Sequence, residues 1–184
     1  MFQSLANQLT LSRIVVIPLI LALMAVPHSW AAWSAWALFT MAGITDWLDG
    51  YVARREGQVS MMGQFLDPIA DKLLVAATLL LLVYNGHIGG YGILPAVIIL
   101  LREVAVSGLR EFLAGVRVSV PVSRMAKWKT TIQMFALGFL IIGQYGPDAI
   151  DTVLIGNILL WLAGGLTLVT GYDYWRAGLK HFTN

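Results

Sequence analysis

The chain contains no cysteine, so disulfide crosslinks and thiol chemistry are excluded. It also carries little charge: Asp, Glu, Lys and Arg make up 12% of its 184 residues, against roughly 25% in soluble domains. No low-complexity tract, long polar linker or fixed-period repeat is present. Apolar spans of about 20 residues occupy most of the length and leave room only for short connections. We therefore expect a single domain over residues 1–184.

Hydrophobic residues make up 58% of the chain. This composition and the apolar runs near 20 residues predict an all-α, polytopic membrane protein. Ahead of the first run, Phe2, Leu5, Ala6 and Leu9 recur at helical spacing, which predicts a short N-terminal helix lying in the membrane interface. We expect six transmembrane helices, at roughly residues 10–27, 31–54, 63–84, 92–116, 125–146 and 150–175.

Lysine and arginine are distributed unevenly among the predicted connections. The connections near His28, near residues 85–91 and near residues 145–151 contain none. By the positive-inside rule, both termini and the even-numbered loops are then cytoplasmic. The cations that indicate this orientation are Arg54 and Arg55 after span two, Arg117, Arg124, Lys127 and Lys129 around the connection from span four to span five, and Arg176 and Lys180 after span six.

Four aspartates lie inside or beside two of the most hydrophobic stretches: Asp46, Asp49, Asp67 and Asp71. A carboxylate near the bilayer interior is costly and marks a functional site. Residues three or four apart share a helix face, so each pair lies on one face, and two antiparallel helices would bring the pairs together. Converging carboxylates repel one another unless a divalent cation such as Mg²⁺, Mn²⁺ or Ca²⁺ binds them. The pattern predicts a metal-dependent enzyme embedded in a membrane.

Individual aspartates also have structural explanations. Asp67 stands before Pro68 and would suit a helix N-cap, with proline at the first helical position. Asp71 could pair with Lys72 or Arg102. These explanations do not account for two pairs at matching spacing beside small residues and a cation, which are Gly50, Ala53, Gly63 and Arg54.

The run Asp46-x2-Asp49-Gly50-x2-Ala53-Arg54-x8-Gly63-x3-Asp67-x3-Asp71 resembles the complete motif of the CDP-alcohol phosphotransferases. Members of that family move a substituted phosphate from a CDP-linked donor to an alcohol and release CMP. The resemblance implies that the four aspartates hold two divalent metal ions, Mg²⁺ or Mn²⁺, and that Asp71 is the general base. It also implies that Gly50, Ala53 and Gly63 accommodate the cytidine and that Arg54 binds donor phosphate. A homodimer would be compatible with this family.

The membrane setting favours a lipid donor, CDP-diacylglycerol, and an acceptor that arrives from water. A group of cations suits an anionic acceptor such as glycerol 3-phosphate: Arg110, Arg117, Arg124, Lys127 and Lys129. Charge alone does not distinguish this role from fixing topology or contacting anionic lipid headgroups. We favour Arg110, Lys127 and Lys129 as the phosphate contacts, with Arg117 and Arg124 behind them.

Local strings resemble the branch of that family that uses glycerol 3-phosphate, the phosphatidylglycerophosphate synthases. They are Arg102-Glu103 through Ser107-Gly108-Leu109-Arg110-Glu111-Phe112, Lys127-x-Lys129-Thr130-Thr131-x-Gln133-Met134, and Leu9-Thr10-Leu11-x-Arg13. The resemblance implies a place in the bacterial inner membrane with the active site facing the cytoplasm, and no nucleic-acid partner. Two alternatives stay open: a sibling enzyme that uses serine, inositol phosphate or a second lipid, and a small ion carrier with carboxylates between its helices.

Overall fold

A computed structural model describes residues 5–56, 61–115 and 123–179 of the chain, and the side chains of residues 11–45, 66, 68–113, 115 and 123–176. The described chain is built from helices, which confirms the all-α prediction, and the helices match the predicted spans to within a few residues. They are α1 (Leu5–Met24), α2 (Ser29–Glu56), α3 (Met61–Tyr84), α4 (Ile93–Gly115), α5 (Arg124–Ile142) and α6 (Thr152–Leu179), with short 3₁₀ turns at Gly90–Gly92 and Gly143–Tyr145.

The first helix differs from the prediction at its start. α1 is continuous from Leu5, so the described residues contain no separate interfacial helix, and Leu5–Leu9 instead form the first turns of α1. The physical reason is that no glycine or proline stands between Leu5 and Pro18. Each added residue of a continuous helix gains a backbone hydrogen bond, whereas a break would require a second nucleation.

The bounds of α3 exclude the explanation of Asp67 as a helix N-cap. α3 begins at Met61 and contains Pro68 as an internal residue. Asp67 is therefore not an N-cap, and Pro68 is not at the first helical position. The Lys72 ammonium donates to the Pro68 carbonyl oxygen at 2.8 Å, one turn along the same helix.

The helices pack around a shared apolar core. α5 packs against α6, α2 and α3, α1 packs on α2 and α3, and α4 packs on α6 and α3. Close packing of these side chains stabilises helix association even where lipid replaces water outside the bundle. The largest fully buried apolar side chains are Phe39, Ile20, Leu82, Ile88, Ile99, Leu113, Leu137, Leu140 and Leu160.

Two segments of the described chain are long and apolar enough to cross a membrane, Gly90–Leu113 and Thr152–Arg176, and Leu11–Met24 is a shorter apolar helix. The outward faces of these helices are also apolar. Leu94, Leu101, Leu154 and Trp161 are among their exposed side chains. Large exposed apolar faces are typical of surfaces that contact lipid, so the helices fit a membrane protein.

The three connections without lysine or arginine meet at one end of the bundle. Asn85 Nδ2 donates to the Met24 carbonyl oxygen at 2.8 Å, and Trp33 Nε1 donates to the Tyr145 carbonyl oxygen at 3.1 Å. His87 Nδ1 lies 2.7 Å from the Leu140 carbonyl oxygen. Because consecutive helices alternate in direction, the last turns of α2 and α4 and the first turns of α3 and α5 lie toward the opposite end.

The contact between α5 and α6 depends on a glycine. A Cβ atom at Gly156 would lie 2.6 Å from Leu140 Cγ and 3.2 Å from the Ala136 carbonyl oxygen. Gly165, on the same helix, has no such neighbour within 4 Å.

We expect Gly156→Ala to destabilise the fold by about 1–3 kcal/mol, because the added methyl group must push the two helices apart. Gly165→Ala is the matched control and should be neutral or stabilising, since alanine is favoured over glycine in a helix interior by roughly 0.5–1 kcal/mol. Thermal unfolding in detergent measures both. Equal unfolding midpoints for the two variants would contradict this role of Gly156.

Candidate active site

Two cavities of different character meet at Asp71. The polar cavity, of about 160 Å³, lies between α3, α4, α5 and α6, and the apolar cavity, of about 550 Å³, lies between α1, α2, α3 and α5. Asp71, Thr130 and Met134 line both. The Asp71 side chain is exposed, so its carboxylate is accessible from the two cavities.

Helical spacing brings the polar side chains to the polar cavity. Glu103 and Arg110 lie two turns apart on α4, and Lys129 and Gln133 lie one turn apart on α5, so each pair shares a face. All four line the cavity. The start of α5 is set by its N-cap, Ser123, whose Oγ accepts the Ala126 amide at 3.2 Å.

An ion pair between a buried lysine and a partly buried glutamate forms part of the polar cavity wall. The Lys129 ammonium donates to Glu103 Oε1, and Arg102 Nη1 lies 3.6 Å from Glu103 Oε2. The Lys129 side chain is only 2% exposed. Removing a charge from water is costly unless an opposite charge is in contact, so Glu103 is the counter-charge that allows Lys129 to be buried here.

Arg102 is fixed in turn by α6. Its guanidinium carbon lies 5.5 Å from the ring centroid of Tyr174, and its Nη2 donates to Thr170 Oγ1 at 3.4 Å. A Cβ atom at Gly171 would lie 3.1 Å from Arg102 Cγ, so the arginine stem runs close to the α6 backbone. These contacts join α4 to α6 beside the cavity.

Two atoms in this wall are buried without a hydrogen-bond partner among the described residues, Arg102 Nε and Gln133 Oε1. Buried polar atoms in proteins are almost always paired, and an unpaired one calls for an explanation. Both residues line the polar cavity. A polar ligand in that cavity would supply partners.

Residues 3–169 match the family model described as CDP-alcohol phosphatidyltransferase. The chain belongs to the CDP-alcohol phosphatidyltransferase family. A protein of Rickettsia felis with the name CDP-diacylglycerol–glycerol-3-phosphate 3-phosphatidyltransferase is 47% identical over 180 residues, which cover 98% of each chain. Proteins with the same name from Pseudomonas fluorescens and Haemophilus influenzae are 41% and 40% identical, over 97% and 90% of this chain and 91% and 88% of their own.

The family aspartates fall partly outside what the structure describes. Asp71 is the only one of the four with a described side chain, and among the described side chains no three His, Asp or Glu residues form a metal-binding group. The side chains of the other predicted metal and donor residues lie outside that set, although their backbones belong to α2 and α3. These residues are Asp46, Asp49, Gly50, Ala53, Arg54, Gly63 and Asp67.

The two aspartate-bearing helices nevertheless border one cavity. Gly43 and Ile44, just before Asp46 on α2, line the apolar cavity together with Asp71 of α3. α2 and α3 each pack on α1 and α5, so the cavity is enclosed by four helices and not by the α2–α3 pair alone.

The predicted acceptor cations divide into two groups. Arg110 and Lys129 line the polar cavity. Lys127 and Arg124 are exposed and do not line it, and Arg117 lies outside the described residues. Lys127 was predicted as a phosphate contact beside Lys129, but its side chain does not line the polar cavity. Residues two apart on a helix are rotated by roughly 200° from one another, so Lys127 and Lys129 lie on different faces of α5.

Four residues of the cavity walls were absent from the predicted site: Arg13, Arg102, Glu103 and Gln133. Arg13 is 2% exposed in the wall of the apolar cavity. It is the only Asp, Glu, Lys or Arg in residues 1–45, and a lone charge in apolar sequence is a signal that could have identified it. No sequence signal joins Glu103 to Lys129, which are 26 residues apart.

Proposed function

We propose that the protein transfers the phosphatidyl group of CDP-diacylglycerol to glycerol 3-phosphate, which gives phosphatidylglycerophosphate and CMP. The observation that carries the proposal is the position of Asp71 between a cation-lined polar cavity and a larger apolar cavity. A reaction between a water-soluble anion and a membrane lipid requires such a boundary. The relatives at 40–47% identity carry the name of this activity, which supports the same assignment.

The polar cavity suits the acceptor. Arg102, Arg110 and Lys129 supply cationic donors, which favour a phosphate group. Glycerol 3-phosphate combines a phosphate with hydroxyl groups and would place one hydroxyl toward Asp71. The exposed cations Lys127 and Arg124 act from outside the cavity by raising the local concentration of the anion. The positive charge of Arg117 would add to this attraction.

The apolar cavity suits the lipid donor. Its wall includes Trp36, Phe39 and Phe139, and Gly43 and Gly138 leave space between these aromatic side chains. An acyl chain gains about 0.8 kcal/mol for each methylene group that it buries away from water, so a wall of this kind favours diacylglycerol. In this proposal Arg54 binds the donor phosphate, and Gly50, Ala53 and Gly63 accommodate the cytidine.

In this proposal a pair of divalent metal ions, Mg²⁺ or Mn²⁺, would be held by four aspartates. These are Asp46, Asp49, Asp67 and Asp71. Carboxylate oxygens are the hard donors that these ions prefer, and the accessible Asp71 carboxylate at the cavity boundary fits that role. When bound, the ions would neutralise the charge of the donor diphosphate.

The residues of the chain then carry the transfer as follows. Arg110 and Lys129 hold the acceptor phosphate, which orients a primary hydroxyl toward Asp71. The hydroxyl oxygen forms a bond to the phosphorus attached to diacylglycerol, and the bond from that phosphorus to CMP breaks. Asp71 accepts the hydroxyl proton as general base, a contribution typically worth 10²–10⁴-fold in rate.

The same proposal sets the chain in the bacterial inner membrane with six transmembrane helices. Both termini and the active site face the cytoplasm, because the connections free of lysine and arginine meet at the end away from the cations. A homodimer is compatible with the exposed apolar helix faces.

An acceptor panel tests the function directly. Purified protein in detergent micelles receives CDP-diacylglycerol, Mg²⁺ and one acceptor at a time: glycerol 3-phosphate, serine, inositol phosphate or a lipid alcohol. We expect CMP release with glycerol 3-phosphate in large excess over the others, because only an anion of this size matches the small cationic cavity. Release with serine but not with glycerol 3-phosphate would refute the assignment, and ion flux in vesicles without CDP-lipid would indicate a carrier.

Replacement of the general base tests the mechanism. We expect Asp71→Asn to lower kcat by at least about 10²-fold, since the amide neither accepts the proton nor binds a cation strongly. Asp148→Asn is the matched control, because Asp148 is exposed in the connection at the other end. Both variants should elute as folded protein from size-exclusion chromatography. Near-normal turnover by Asp71→Asn would remove Asp71 from the mechanism.

Filling the apolar cavity tests the donor site. A Cβ atom at Gly43 would meet only the flexible end of Met134, at 3.0 Å, so Gly43→Leu should fold and project into the cavity. We expect a higher KM for CDP-diacylglycerol and an unchanged KM for glycerol 3-phosphate. Gly165→Leu, at an open position of α6, is the control. A change in the acceptor KM alone would place the lipid elsewhere.

A further inference from the structure

Gln133 is a buried neutral polar residue in a cavity whose lining includes six charged side chains. Its side chain is 2% exposed, it lines the polar cavity, and its Oε1 has no hydrogen-bond partner among the described residues. The transfer mechanism gives it no role. A buried carboxamide oxygen without a hydrogen-bond partner is destabilising, so a compensating contact between this oxygen and a ligand would explain its position.

The position of Gln133 limits what that ligand group can be. Lys129 lies one turn earlier on the same face of α5, and Asp71 and Arg110 line the same cavity. Phosphate oxygens are attracted to the cations, and the reacting hydroxyl must reach the Asp71 carboxylate. A carboxamide both donates and accepts hydrogen bonds without charge, which matches a second, neutral hydroxyl group.

We propose that Gln133 is a specificity-determining residue whose carboxamide binds the non-reacting secondary hydroxyl of the acceptor. The inference rests on the proposed function, because glycerol 3-phosphate has that hydroxyl between its phosphate and its primary hydroxyl. A site with a buried hydrogen-bonding group discriminates strongly against a substrate that lacks the matching group, since the protein group is then left unpaired.

The test pairs a substrate deletion with a side-chain deletion. CMP release is measured with glycerol 3-phosphate and with 3-hydroxypropyl phosphate, which keeps the phosphate and a primary hydroxyl but lacks the secondary one. For the unaltered protein we expect kcat/KM to be about 10- to 100-fold lower with the analogue. For Gln133→Met, which has a similar volume without the amide, the two values should agree within about threefold.

Lys129→Met is the matched control on the same helix face. It removes a cation that both acceptors need, so both values of kcat/KM should fall together and their ratio should stay that of the unaltered protein. If Gln133 had only a structural role, Gln133→Met would likewise lower both values of kcat/KM and leave their ratio unchanged. Discrimination that persists in Gln133→Met, or that is absent from the unaltered protein, overturns the inference.

Two further outcomes keep the inference separate from the proposed function. If the unaltered protein releases no CMP with glycerol 3-phosphate, the proposed function itself fails. If Gln133→Met does not fold, Gln133→Asn takes its place, because it keeps the amide but withdraws it by one methylene group. That variant should also lose the discrimination, and full retention by a folded Gln133→Asn would refute the contact.

Discussion

The polar cavity depends on the ion pair between Glu103 of α4 and Lys129 of α5. A lysine side chain that is 2% exposed needs an opposite charge beside it, and Glu103 supplies that charge while also facing Arg102. Arg102 is itself fixed to α6 by Tyr174 and Thr170. One carboxylate thus couples three helices and leaves cationic groups at the wall of a small cavity, where they can meet an anion.

The second constraint is that the two cavities that meet at Asp71 differ in polarity and in volume. The cavity on one side is small and has charged residues in its wall, and the cavity on the other side is apolar and several times larger in volume. A lipid and a phosphorylated alcohol differ in the same way, and neither would enter the cavity that suits the other. In the proposed mechanism, Asp71 lies between the two cavities as general base, so each substrate would remain in its own environment until the reacting atoms meet.

Helix positions were predictable because they depend on local sequence, whereas the catalytic role of the carboxylates stays a prediction. Apolar runs near 20 residues located the helices, and the spacing of Asp67 and Asp71 identified one helix face. The described chain contains no separate N-terminal interfacial helix, because one continuous helix from Leu5 has a lower free energy than two helices with a break between them. Lys127 was predicted together with Lys129 as a phosphate contact, although their separation of two residues on a helix turns them to different faces.

By itself, the sequence determined the helical class, the family and the residue types that carry the chemistry, since hydrophobic runs and fixed motif spacings are properties of the chain. The tertiary structure alone decided which cations share a wall with Asp71, that Glu103 is the partner of Lys129, and that Gln133 is buried beside them. The reason is distance along the chain. Glu103 and Lys129 stand 26 residues apart on different helices, and the packing of both helices against α6 and α3 brings their side chains into contact.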